Sequence, residues 1–548
     1  MFDVQQILKQ HGREESERAP FDMLWQAVAE LCLPRDASFT VKRSPGSPDA
    51  VMYDDYGVHC VDTGTTVFTG YVMPRGQRWQ ILEAPDAELM KLRHVAAWYE
   101  RKTQLLFERR NEAASGFVQQ TDMSASRLLA FGNQSMWVDT RRDNFGNAVG
   151  LSYRSEPLHE ITITQNWQGV VDATKRKFRL PAEEARKRWG PLLDRAPKVA
   201  SAAADTNKSR EEFEFLHVIM PNPKVERGRG DWRGMSHVSL YISCEDKEII
   251  EQRGYNQSPR AYSRLKQSPG EVYGRGRGVD ALPTLKAMQA IMVDIMVASE
   301  LSAQPPLGAA DDNIAGQLRY GPREVTFGAI SPRGDKLVQS LLEQIETQPL
   351  ERILEMLHGR MDQYFYTNML MVTEEVKTHI TAYERSERKA EKGMLLAPLA
   401  TQETEWFSPM LPREIACMDE LGDFDDMPGE VAEAGGLFAV KYANPLTGLM
   451  EAAGAAGYFS TVEQMTPMWQ LKPEALDAFM ADYPIDRVQA EIARINGVPA
   501  TWLATEEEKQ AANDAQVEAQ QLQQLTDTLP ALGKAALDLS KAEPAGVA

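Results

Sequence analysis

The feature that most constrains this chain is a long run of apolar residues at helical spacing between Glu271 and Leu307. The run opens with the Gly-Arg-Gly-Arg-Gly sequence of residues 274–278 and ends at Pro305-Pro306, because proline cannot continue a helix. Residues 279–301 are therefore predicted to form a helix. The apolar face of this helix carries Leu285, Met288, Met292 and Ile295, whereas Asp280 and Asp294 lie away from the centre of that face.

A second helix is predicted over residues 349–372, with apolar positions at near-heptad spacing that include Leu357 and Met361. Two long helices separated by a folded insertion predict an antiparallel hairpin. The residues expected to pack this hairpin are Leu285, Met288, Met292, Ile295, Leu357 and Met361. Their apolar faces are too wide for a lone pair of helices, which favours burial against further copies of the chain. Burial in an ordinary core explains the methionines equally well, and the sequence does not separate the two.

The apolar period changes towards two between about residues 134 and 245, which is typical of β-strands. Strand candidates there are 135–139, 151–153, 160–164, 170–172, 212–220 and 237–243, with a short helix at 181–189 between them. Further helices are predicted at 1–33, 60–75 and 85–114. The chain is thus predicted to be mainly α with β structure, an α+β protein of two to four substructures, given its 548 residues.

Sequence motifs for catalysis or metal binding are missing from this chain. No P-loop, nucleophile elbow or HExxH sequence occurs, and the four cysteines are scattered without a CxxC pair. The loop at 274–278 lacks the spacing of a nucleotide-binding loop, so a turn that directs the following helix is favoured over a phosphate cradle. We therefore predict no catalytic residue, no metal site and no cofactor.

Membrane association is not predicted either. The sequence holds no uninterrupted run of about 18 apolar residues that would suggest a transmembrane helix. The N-terminal residues lack the apolar core of a signal peptide, so we expect the protein to stay in the cytoplasm of the cell that makes it.

Several ordered motifs resemble those of one protein family. These are the Pro-Gly-Glu-Val-Tyr-Gly-Arg-Gly sequence at 269–276, Ala-Leu-Pro at 281–283, Pro-Pro-Leu at 305–307, and Thr-Ala-Tyr-Glu at 381–384. Together with the two-helix pattern, they resemble the portal proteins, or head-to-tail connecting proteins, of short-tailed (podovirus-type) bacteriophages. The resemblance extends over roughly residues 5–505, although Tyr383 departs from the usual third position of the last motif.

The resemblance implies a portal fold with a wing, a two-helix stem, a clip and a helical crown, assembled as a ring. The implied boundaries are the wing at 1–270, the first stem helix at 271–301, the clip at 302–348, the second stem helix at 349–372, a tunnel loop at 373–380, a long kinked wing helix at 381–425, the crown at 426–505 and an Ala/Gln-rich C-terminal tail at 506–548. The tail has few aromatic residues, so partly disordered structure is expected there.

The resemblance also implies a function and a set of partners. The protein would form a homo-oligomeric ring of about twelve subunits at one capsid vertex of the virion. Double-stranded DNA would be packaged and ejected through the ring. Capsid and scaffolding proteins, the terminase and then the tail adaptor proteins would bind it, and terminase would supply the energy by ATP hydrolysis.

The tunnel loop is the narrowest point of the channel in this family. The resemblance places Glu374, Glu375, Lys377 and His379 in it, and makes Asp280 and Asp294 candidates for the stem lumen. An ordinary exposed helix junction explains the loop sequence equally well.

The net charge of −19 is unusual for a protein that grips DNA, because neutralising phosphates drives such binding. A channel through which DNA slides is the exception, since an acidic wall repels phosphate. Two alternatives stay open. One is an ATP-driven packaging enzyme, against which the missing P-loop counts, and the other is a structural capsid or tail protein without a channel.

Overall fold

The computed structural model describes residues 2–43, 46, 51–226, 228–309, 329–331, 333–341, 346–371, 392–472, 474–485 and 487–489. Two compact units divide the chain, Met1–Met450 and Glu451–Ala548. Helices outweigh strands, at about 54% against 19%, which confirms the predicted α+β class with helix in excess.

The helices of the described residues agree with most of the predicted ones. They are α1 (Val4–Cys32), α2 (Tyr56–Val72), α3 (Ala87–Met90), α4 (Arg93–Asn111), α5 (Phe117–Phe131), α6 (Ala182–Trp189), α7 (Pro197–Ala204), α8 (Arg277–Ala303), α9 (Gln348–Phe365), α10 (Asn368–Met371), α11 (Ser408–Glu420), α12 (Gly429–Glu433), α13 (Pro445–Leu471) and α14 (Glu474–Asp482). The carboxylate of Asp3 caps α1 by accepting the N–H groups of Gln5 and Gln6. The predicted helix at 85–114 is two helices, α3 and α4.

Within the described ranges the strands form four antiparallel sheets. They are β1 (Gln80–Glu83), β2 (Asn133–Arg142), β3 (Ala148–Ser155), β4 (Ile161–Gln165), β5 (Val171–Pro181), β6 (Glu212–Pro221), β7 (His237–Ser243), β8 (Glu248–Tyr255), β9 (Arg260–Arg264), β10 (Leu307–Ala309), β11 (Val338–Ser340) and β12 (Ala439–Tyr442). The larger sheets have the orders β3-β2-β9 and β4-β5-β6-β7-β8, and β1 pairs with β12 and β10 with β11. Each of the six predicted strands is present, whereas α5, β8 and β9 were not predicted.

Both faces of the five-stranded sheet are covered. Phe178, Phe213 and Phe215 pack on one face against α6 and α7. Leu216, Val218 and Leu240 pack on the other face against the N-terminal residues Phe2 to Leu8. Successive side chains of a strand face opposite sides of a sheet, and here apolar residues cover both sides. In the five-stranded sheet, residues two apart in the sequence therefore share a face, which is the period of two that the sequence shows.

A strand pair links the range predicted as wing to the beginning of the range predicted as crown. Strand β12 lies inside the range predicted for the crown, yet it pairs with β1, where Gln80 is opposite Tyr442. The long wing helix predicted at 381–425 falls partly outside the described residues. Its described part is interrupted by a 3-10 turn at Ala397–Ala400 and a π-helical stretch at Glu403–Phe407, after which α11 continues through Pro412.

In the second unit, described aromatic side chains of α13 and α14 meet. The ring centroids of Trp469 and Phe479 lie 4.9 Å apart, and those of Tyr458 and Phe479 lie 6.0 Å apart.

Candidate functional site

Helices α8 and α9 form a pair that runs in opposite directions. Strand β10 follows α8 and strand β11 precedes α9, and these two strands pair antiparallel, with Leu307 opposite Ser340. The helices differ in length, 27 residues against 18, whereas the predicted ranges 279–301 and 349–372 are almost equal in length, so the prediction of the second range is wrong at its end. We call α8 and α9 the helix pair.

The base of the helix pair is buried inside the chain. Leu285, Met288 and Met361 are at most 1% exposed, and Leu357 is 7% exposed. They pack in one apolar cluster with residues of α1, α2 and α5, including Trp25 and Phe131. These four predicted packing residues therefore have partners within a single copy.

The other end of the pair has far less cover. We call residues 290–303 of α8 and 348–356 of α9 the distal half. Met292 and Ile295, the remaining predicted packing residues, are only partly buried there. Five apolar side chains of the distal half are exposed by 36–52%, namely Met296, Val297, Leu301, Ile353 and Met356. A single copy thus leaves an apolar stripe along both helices.

Helix α8 is apolar enough to pass a composition test for a membrane span. Among the described helices it is the one that passes, with 28% of the tested window buried. Such a test is weak evidence by itself, and the base of α8 packs against protein. The sequence prediction of no transmembrane helix rests on the lack of a long uninterrupted apolar run, and it stays a prediction.

The glycine-rich loop at 274–278 packs directly against the end of α5. A Cβ atom on Gly276 would lie 2.3 Å from the Gly132 nitrogen and 2.5 Å from the Ala130 oxygen. The Asn133 side chain accepts the N–H of Gly274 and donates to its carbonyl, both at 2.8 Å. This contact supports a turn that fixes where α8 begins, because the chain's own backbone fills the space that a phosphate would need.

The two predicted lumen residues lie in different surroundings. Asp280 is half-buried in the first turn of α8, whereas Asp294 is exposed in the distal half. Burial first, and the charge of Asp280 to a smaller extent, raise the pKa of the nearby Tyr366 hydroxyl against the opposing effect of Arg277. The structure therefore does not bring Asp280 and Asp294 together in a common setting.

Helix α9 ends seven residues before the predicted boundary at 372. Tyr366 has a left-handed conformation with φ of 61°, and its ring lies against the guanidinium of Arg277 with the carbon 5.1 Å from the ring centroid. The Thr367 N–H donates to the Asp362 carbonyl at 3.1 Å, which closes the helix end. A new short helix, α10, then begins at Asn368.

Some predicted site residues lie outside the described residues. They are the tunnel-loop candidates Glu374, Glu375, Lys377 and His379 and the Thr-Ala-Tyr-Glu motif at 381–384. Residues 310–328 of the predicted clip also lie outside them. Within the described part of the chain, no three His, Cys, Asp or Glu residues are grouped so that they could hold a metal ion.

The chain matches one protein family over most of its length. The family described as "Bacteriophage head to tail connecting protein" matches residues 4–503. A portal protein of Salmonella phage epsilon15 is 21% identical over 98% of this chain and 95% of its own length. A probable portal protein of Bordetella phage BPP-1 is 24% identical over 98% of this chain and 96% of its own length.

Solved structures give weaker similarities. One is the virion of a native gene transfer agent particle, at 11% identity and a TM-score of 0.32 over 70% of this chain and 84% of the other. Another is the neck of an empty gene transfer agent particle, at 11% identity and a TM-score of 0.36 over 75% and 90%.

Proposed function

The chain belongs to the bacteriophage head-to-tail connecting, or portal, protein family, and we propose that it forms a closed ring of about twelve copies around a DNA channel at one capsid vertex. In this proposal double-stranded DNA enters the capsid through the ring during packaging and leaves through it at ejection. The protein has a structural role, and the terminase hydrolyses ATP to move the DNA.

The observation that carries the proposal is the apolar stripe on the distal half of the helix pair. Met296 and Met356 are both 52% exposed, so a single copy leaves two large side chains of this stripe in water. Burying apolar surface gains roughly 25 cal/mol per Å², which favours covering the stripe with another copy. If the covering surface differs from the stripe, the contact between copies is heterologous. Repeating such a contact closes a ring when the rotation from one copy to the next is a whole-number fraction of a full turn.

The acidic balance of the chain fits a channel better than a DNA-binding surface. With 79 acidic and 60 basic residues, a ring would carry a large negative charge. Phosphate groups are repelled by such a surface, so DNA would slide through without being held. The predicted tunnel-loop residues Glu374, Glu375, Lys377 and His379 are proposed to form the innermost charged bands.

Segment 302–348 is proposed to form the rim to which the terminase and later the tail adaptor bind. Its described strand β10 directly follows α8, its described strand β11 closely precedes α9, and the two strands pair with each other. Deleting residues 311–327 should leave ring formation intact, since the stripe on the helices stays in place. The same deletion should abolish binding of purified terminase, and undiminished binding would contradict this assignment.

Native mass measurement and negative-stain images of the purified chain test the ring itself. We expect a single high-mass species and end-on views with an axial hole. A monomer at all concentrations would overturn the proposal. An assembly without an axial hole would favour the alternative, a structural capsid or tail protein that has no DNA channel.

A further inference from the structure

A short segment before α2 crosses the helix pair at the limit of its buried base. We call residues 53–56, Tyr-Asp-Asp-Tyr, the strap. The Gln289 side chain of α8 accepts the N–H groups of Tyr53 and Asp54 at 2.8 and 3.2 Å. The same side chain donates to the Asp54 carbonyl at 2.5 Å. One glutamine therefore pairs with the strap backbone as a neighbouring strand would.

The strap also holds the other helix. The Asp54 carboxylate lies 2.9 Å from His358 Nε2 of α9, and the Asp54 side chain is only 3% exposed. The Tyr56 hydroxyl donates to Asp362 at 2.8 Å, and its ring stacks on His358 at 4.0 Å between centroids. Six contacts thus connect a four-residue segment to both helices.

The strap marks a boundary along the helix pair. On the side of the base, Leu285, Met288, Leu357 and Met361 are buried among α1, α2 and α5. At the strap itself an open cleft of about 520 Å³ lies between α8 and α1, and it is lined by Tyr53 and Gln289 as well as by Ala290 and Val293 farther along α8. Among the described residues, no hydrogen bond or ion pair joins residues 290–303 or 349–356 to α1, α2 or α5.

We propose that Asp54 and Gln289 are positioning residues, which fix the angle of the distal half relative to the body of the subunit. The apolar side chains of the distal half still contact the core cluster at Leu354 and Met292, but the strap is the outermost described polar contact by which the body resists tilting of the pair. The position of strands β10 and β11, which follow α8 and precede α9, would follow from this angle. The inference rests on the proposed function only in that these strands belong to the proposed docking rim.

Hydrogen–deuterium exchange of the full-length protein tests the strap. Asp54→Asn and Gln289→Ala should speed exchange of amides 290–303 about tenfold, the expected effect of losing one or two buried hydrogen bonds. Amides 277–288 should exchange as in the parent. Glu355→Gln, which removes the same charge as Asp54→Asn from an exposed site on α9, should change neither region. Equal acceleration in both regions, or none in the distal half, would overturn the proposal.

A second variant separates positioning from general loss of stability. In Gln289→Glu, a protonated carboxyl can still donate to the Asp54 carbonyl, whereas the carboxylate formed above a pKa of about 4.3 cannot. After correction for intrinsic rates, its distal half should be protected like the parent at pH 4 and less protected at pH 7. A pH-independent loss would contradict the strap's role. Native mass of the same samples reports separately whether rings form, so a failed ring does not hide the result.

Discussion

Glu156 and Arg260 form an ion pair in which both side chains are fully buried, with 2.5 Å between the Glu156 Oε2 and Arg260 Nε atoms. Glu156 follows the last residue of β3, and Arg260 is the first residue of β9. Arg176 of β5 reaches the same carboxylate at 3.1 Å, and Arg260 also donates to Thr174 of β5 at 3.0 Å. One carboxylate thus joins the three-stranded sheet to the five-stranded sheet.

This ion pair predicts a specific loss of stability in acid. Burial raises the pKa of Glu156, but Arg260, Arg176 and Arg154 outweigh burial and lower it from 4.5 to about 2. The charged form therefore stabilises the fold fully above pH 4.5, and this contribution disappears as the pH falls towards 2. Glu156→Gln should cost about 3 kcal/mol at pH 7, because it leaves buried guanidinium groups without a counter-charge.

Thermal unfolding followed at intervals between pH 7 and pH 2.5 measures this effect. The parent should lose stability below pH 4.5 more steeply than Glu156→Gln, in which the titrating group is gone. Glu184→Gln is the matched control, since Glu184 pairs with Lys187 on the surface, where solvent screens the interaction. Parallel curves for the parent and Glu156→Gln would show that this carboxylate does not govern acid unfolding.

The glycine-rich loop predicts a sharp contrast between two glycine substitutions. Gly276→Ala should cost more than about 2 kcal/mol, because its Cβ would lie 2.3 Å from the Gly132 nitrogen and must displace backbone. Gly359 of α9 has open space around its Cβ position. Gly359→Ala should therefore stabilise the helix by about 0.5–1 kcal/mol. Urea unfolding compares the two, and equal midpoints would contradict the close packing at Gly276.

Much of the helix pair could be predicted from the sequence, but the end of α9 at Phe365 could not. The predicted helix at 279–301 differs from α8 by two residues at each end, because a glycine-rich loop and two prolines bound it. The near-heptad pattern of α9 continues past Tyr366, so local spacing predicts an unbroken helix there. At the end of α9 the Tyr366 hydroxyl accepts a hydrogen bond from Arg277, 89 positions away, and local spacing cannot predict such a contact.

Contacts between residues far apart in the chain also limit what the sequence predicts about the candidate site. Apolar periodicity identified Leu285 and Met361, which are buried, but it does not tell burial in one copy from burial between copies. The strap had no sequence signal, since Asp54 and Gln289 are 235 positions apart. Strand β9 was missed for a related reason: its five residues are all buried, yet two of them are arginines that pair with distant carboxylates.

The charges proposed for the tunnel loop predict opposite effects of two substitutions. Reversing Glu374 and Glu375 to Lys should make DNA bind the ring, with an affinity that falls steeply as salt rises, because released counterions drive such binding. Lys377→Glu should leave ring assembly unchanged and alter the amount of DNA that particles retain. Filter binding across a salt series and DNA content per particle measure the two effects. Variants that behave like the parent in both assays would place this loop away from the channel.

The exposed stripe predicts which substitutions break the ring without breaking the subunit. Leu357 and Met288 are poor choices, because they are buried within one copy and a charge there would disrupt the fold itself. Met296→Asp and Met356→Asp place the charge on the distal half instead, where one copy leaves the side chain in water. For each variant, the protein concentration at which rings form should rise at least about tenfold. This is the change expected when a contact worth more than about 1.4 kcal/mol is lost.

Sedimentation across a concentration series measures the ring, and circular dichroism with thermal unfolding verifies the fold of the same samples. Met23→Asp is the matched control, since Met23 lies on α1 and is 69% exposed, away from the helix pair. It should assemble like the parent. Rings that persist in Met296→Asp and Met356→Asp would mean that another surface closes the ring, because an aspartate at a packed apolar interface cannot be accommodated without cost.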